Sequence, residues 1–110
     1  MTKTISYDKE YDILTIHKGF NEDEKFKGNI DVGDLILDVS TKGKIKGIEI
    51  MNATKSFKDF NIKKSNLEDM SDANFNATIK PDSIILGIIV KSKQREIPAK
   101  IAVPLKTPVS

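Results

Sequence analysis

Glu49 is the side chain whose setting most invites chemistry. It stands in Lys44-Ile45-Lys46-Gly47-Ile48-Glu49-Ile50-Met51, beside Gly47 and with Ile48 and Ile50 on the opposite parity. A carboxylate partly buried among apolar neighbours titrates higher and suits general acid–base work, and Asp38 across a hairpin would be its partner. The structural reading of the same pattern is a cross-strand ion pair with a lysine. A second acidic set, Asp8, Asp12, Asp31, Asp34 and Asp38, could supply oxygen ligands to Ca²⁺ or Mg²⁺, with Asp8, Asp12 and Asp34 the leading metal candidates. No calcium-loop spacing supports it; Asp8 and Asp31 fit turn formers and Asp34 and Asp38 the solvent face of a strand. His17 has no second histidine to join it as a metal ligand or proton carrier. Lys91, Lys93, Arg95 and Lys100 gather around one turn as a basic patch, but no aromatic interleaves there for base stacking.

Composition narrows the chemistry further. The 110 residues contain no cysteine and no tryptophan, which removes disulfides, thiolate metal sites and cysteine nucleophiles. No phosphate loop, dinucleotide fingerprint, nucleophile elbow or zinc spacing occurs, and no cofactor is expected. The formal charge is +2, yet residues 1–40 hold five lysines against nine acids and residues 41–110 thirteen bases against seven acids. Arg95 is the one arginine, which disfavours dedicated phosphate or base readout. The start Met1-Thr2-Lys3-Thr4-Ile5 has no apolar run, and the longest apolar stretch, Ile84 to Val90, is too short to cross a bilayer; a cytoplasmic setting is the expectation.

The elements that must position these side chains read mostly as β. Thr4–Tyr7 and Asp12–His17 carry β-branched and aromatic residues in short runs, and Lys18–Asn29 reads as a solvated excursion pinned by Phe20 and Phe26. Leu35, Leu37 and Val39 alternate with Asp34, Asp38 and Ser40, and Gly43 serves the turn into the partner strand Lys44–Met51, where Gly47 marks a bulge or a close backbone approach. Spacing turns helical between Asn52 and Ser71, with a capping box expected from Ser65 to Glu68. Ala73–Lys80 alternates again, and Ile84–Val90 is apolar on both parities, as a strand covered on both faces would be. Glu96–Val103 places Pro98 opposite its apolar face, which predicts an edge strand, and the tail with Pro104 and Pro108 should fray. The expectation is one α+β, mainly β domain over 1–110. About seven antiparallel strands would form a small sandwich or half-open barrel with one short helical insertion.

Tyr7-Asp8-Lys9-Glu10-Tyr11-Asp12-Ile13-Leu14-Thr15-Ile16, then Leu35-Ile36-Leu37-Asp38, Gly43, Gly47-Ile48-Glu49-Ile50 and Ala53, resemble the uncharacterised family called domain of unknown function twenty-two eighty-three, over about residues 5–55. An aromatic often stands in that family where Thr15 stands here. The resemblance implies a compact β-rich, cytoplasmic core with no established activity, in a family that sometimes neighbours small toxin-like genes, hence an antitoxin-like partner. On that division residues 56–71 are a helical insertion and 73–103 a C-terminal β extension. The expected function is a noncatalytic interaction module that binds itself as a homodimer or a small protein partner. The alternatives are a small-ligand or weakly catalytic domain using Glu49 and Asp38, and nucleic-acid binding through the basic C-terminal hairpin.

Overall fold

Alternating side chains build two antiparallel sheets that bury their apolar parities against each other. The structure, a computed structural model, describes residues 3–105. Strands β1 (Thr4–Asp8), β2 (Ile13–His17), β3 (Phe26–Val32), β4 (Leu35–Ser40) and β5 (Ile45–Met51) form one sheet in the order β1-β2-β5-β4-β3. Strands β6 (Met70–Ile79), β7 (Ser83–Ser92) and β8 (Arg95–Pro104) form the second, in sequence order. Helices α1 (Ala53–Ser56) and α2 (Lys64–Glu68), with a 3-10 turn at Lys58–Phe60 between them, bridge the sheets. Leu14, Ile16, Leu37, Ile48 and Ile50 from the first sheet meet Phe75, Ile84, Leu86, Ile88 and Val90 from the second, and Phe57, Ile62 and Leu67 close the space between.

Gly43 adopts φ 74° in the β4–β5 turn, the positive value its position demanded. Four sequence expectations need correction. There are eight strands among the described residues rather than seven, because the excursion assigned to Lys18–Asn29 contains the start of β3. Phe20 packs edge-to-face on His17, ring centroids 5.0 Å apart, but Phe26 is exposed and pins nothing. The helical segment begins at Ala53, and its second helix is capped by Asn66, whose Oδ1 accepts the Lys63 amide at 2.8 Å; Ser65 lies inside the helix. Finally, β7 is covered on one face only: Ile84, Leu86, Ile88 and Val90 are buried, whereas Ile85 is half-buried and Ile89 is 43% exposed. Pro98 does lie on an edge strand, β8, while Pro108 falls outside the described residues. Among the described residues no helix is long and apolar enough to cross a membrane.

Candidate functional site

Period two sends Glu49, Asp38 and His17 to the same, outer face of the first sheet. Strand β5 runs between β2 and β4, so Thr15, Glu49 and Ile36 make one cross-strand row and His17, Gly47 and Asp38 the next. Glu49 is half-buried between Thr15 and Ile36, and among the described residues no lysine forms an ion pair with it. Gly47 leaves bare backbone between its two neighbours; a Cβ there would stand 2.4 Å from Cδ2 of His17 and 2.9 Å from Oδ2 of Asp38. Nδ1 of His17 accepts the Gly19 amide at 2.8 Å, so the neutral ring carries its proton on Nε2, which faces Oδ2 of Asp38 at 3.8 Å. The imidazole lone pair a general base would need is therefore already occupied, and the carboxylates of Glu49, Asp38 and Asp31 are the acidic acceptors this face presents.

The aspartates named as metal ligands serve local structure instead. Asp8 accepts the amides of Glu10 and Tyr11 at 3.0 Å each, holding the β1–β2 turn. Asp12 accepts the Tyr7 hydroxyl at 2.6 Å, the Thr54 hydroxyl at 2.6 Å and the Thr54 amide at 3.2 Å, so it ties this turn to the start of α1. Burial, followed by the hydrogen bond to Asp12, pushes the Tyr7 phenol well above the usual tyrosine range. Asp34 accepts a hydrogen bond from the Asn52 side-chain Nδ2 at 3.2 Å, and Asp31 lies in β3 opposite Ile36. Among the described residues no three acidic or histidine side chains converge to hold a cation.

The basic patch is dispersed in a similar way. Lys91 and Lys100 share the outer face of the second sheet, but Lys91 sits between Asp72 and Glu96 in register, and Lys93 pairs with Asp69 at 3.4 Å in the hairpin tip beside Arg95. A continuous cationic stripe for a phosphate backbone does not form.

Sequence reading missed the most enclosed charges in the fold. Register between β4 and β5 shifts at Lys46, which keeps the inward parity of Ile48 and Ile50 and forms an ion pair with Glu24, Nζ to Oε1 2.7 Å. Both residues are buried, Glu24 with only 3% of its surface accessible, although it belongs to the acidic knot Glu22-Asp23-Glu24. The one available signal was that Lys46 shares parity with Ile48 and Ile50. The Lys46 ammonium and then the Asn21 amide hold the Glu24 carboxyl down at about 2 against the upward push of burial, and the Ser40 hydroxyl adds to them. A depressed carboxylate contributes stability that is complete above its unfolded pKa and lost as pH falls through the folded value. Thermal midpoints of the wild-type chain and Glu24→Gln, measured between roughly pH 5 and pH 2, should show the wild-type advantage present at pH 5 and closing toward pH 2. A constant difference would remove this pair from the acid response.

Residues 4–53 match the model of a family described as "Protein of unknown function (DUF2283)". The match covers the whole five-stranded sheet and stops at the first residue of α1. An uncharacterised protein of Methanocaldococcus jannaschii is 40% identical over 57 residues, which are 52% of this chain and 47% of that protein. The matched segment thus spans about half the length of the curated relative. No solved structure matches the chain.

Proposed function

We propose, from the match of residues 4–53 to the DUF2283 model and the second sheet that β6–β8 add to it, that the chain is a self-associating interaction module whose contact surface is the outer face of that second sheet. The observation that carries this reading is the uncovered parity of β7, where Ile85 and Ile89 face outward from an otherwise apolar strand. The surrounding residues favour a second copy as the occupant. Register sets Asp72, Lys91 and Glu96 in one row, Asn74, Ile89 and Pro98 in the next, then Asn76, Gly87 and Lys100. A two-fold axis crossing the strands at the Ile89 row places Ile89 on Ile89 and Pro98 on Pro98. The same operation sets Glu96 of each copy opposite Lys100 of the other, while Lys91 meets the side-chain-free Gly87.

Ten residues at about 3.3 Å along three strands about 4.8 Å apart present on the order of 450 Å² per copy, the low end for a specific interface. The dimer constant is accordingly expected in the micromolar range or weaker. Sedimentation equilibrium from about 1 to 500 μM should show a concentration-dependent shift from one chain to two. Ile89→Lys and Glu96→Lys should each abolish the shift, and Glu96→Lys combined with Lys100→Glu should restore it. A mass of one chain throughout, the outcome expected if a small partner of different sequence occupies this face, defeats the proposal.

A further inference from the structure

Strands β2 and β5 run out at a pair of lysines. The Lys18 amide donates to the Lys46 carbonyl at 2.7 Å, continuing the register one step beyond His17 and Gly47, so two cationic residues become cross-strand neighbours. Like charges in that relation ordinarily destabilise a sheet. Glu24 compensates Lys46, but Lys18 forms no ion pair among the described residues; its Nζ lies 4.5 Å from the centroid of the Phe75 ring. Burial and then the charge of Lys46 pull the Lys18 ammonium below the usual lysine range, a penalty that a nearby anion would relieve.

These groups open onto a cleft of about 350 Å³ at the mouth between the sheets. Lys18, Lys44 and Lys46 contribute its charge together with Ile45, and the second sheet contributes Ala77 and Ile79; no acidic residue lines it. Ile79 has the inward parity of Ala73, Phe75 and Ala77, yet it is 57% exposed because β6 extends past the cover of the first sheet. One wall is therefore cationic and the other is hydrocarbon.

We infer that this cleft binds a small organic carboxylate, with its anionic head against the Lys18 ammonium and its apolar body along Ala77 and Ile79. The hydrocarbon wall discriminates against a fully solvated inorganic anion, and lysines are point charges without the planar fork that favours phosphate. The cleft lies between the sheets and not on the outer face proposed for self-association, although Lys18 also borders a hollow lined by Asn74, Asn76, Gly87 and Ile89.

The test is a titration of the full ¹⁵N-labelled chain with sodium hexanoate, and separately with sodium phosphate at matched ionic strength, followed by backbone amide shifts. Hexanoate should move Lys18, Lys46 and Ile79 saturably with half-saturation around 1 mM, and phosphate should bind at least roughly ten-fold more weakly. Lys18→Gln and Ile79→Asp should each weaken hexanoate by roughly ten-fold or more, whereas Lys18→Arg should retain binding. The inference is overturned by an absence of saturable shifts up to about 50 mM, by phosphate binding as well as hexanoate, or by unchanged affinity in Lys18→Gln.

Discussion

Asp12→Ala should lower the unfolding free energy by about 2–4 kcal/mol, read from urea denaturation at neutral pH with an unchanged m-value. Three costs combine at this position. The Tyr7 and Thr54 hydroxyls each lose a charged acceptor 2.6 Å away, in a part-buried setting. The Thr54 amide loses its cap, and alanine must take φ 57°, a left-handed value that aspartate tolerates better. Asp12→Asn keeps that tolerance and one acceptor oxygen, so it should cost about half as much. Burial by itself would raise the Asp12 pKa, but hydrogen bonds from Thr54 and Tyr7 outweigh it and leave the carboxyl below the usual aspartate range. Its contribution is thus complete above that range and is lost as pH falls below it, so the gap between wild type and Asp12→Ala should narrow in acid. Equal stability of the two chains at neutral pH would show that the turn does not depend on this carboxylate.

Gly47→Val should cost about 2–3 kcal/mol, because its Cβ enters space filled by His17 and Asp38 while the Gly19 amide and the Phe20 ring hold the imidazole in place. A double-mutant cycle isolates the cause. With His17→Ala present, most of the penalty of Gly47→Val should vanish and valine's preference for strands should emerge, giving a coupling above about 1 kcal/mol. Additive effects would mean that backbone conformation, and not the close approach, requires glycine here. The cycle also bears on chemistry, since the same approach directs Nε2 of His17 to Asp38.

The sequence made the Leu35–Met51 hairpin legible because alternation, turn glycine and length agreed, and it placed β8 at an edge through Pro98. It did not reveal β3, whose Phe26-Lys27-Gly28-Asn29 opening is polar and bulged and whose remaining residues, Ile30 to Val32, are too few to show the apolar rhythm of a core strand. Glu24 and Lys46 escaped notice because their burial depends on chain segments that converge only in the fold. For β7, the pattern of apolar residues was visible but not what lies over them: hydrophobicity records that a face favours cover and is silent on whether the same chain supplies it. The shared face of Glu49 and Asp38 followed from periodicity, whereas the addition of His17 required knowing that β2 pairs with β5.

That pairing also governs the order in which the chain can assemble. Strands β6, β7 and β8 meet through two consecutive hairpins and can zip from their turns, but Ile13 finds Met51 only after the hairpins between them have formed and the intervening loop has closed. Strands β3, β4 and β5 share that local connectivity, so the two consecutive-hairpin units are expected to form first and β1–β2 to dock late. Substitutions on the β2–β5 seam would then chiefly accelerate unfolding, while those within β7 would slow folding.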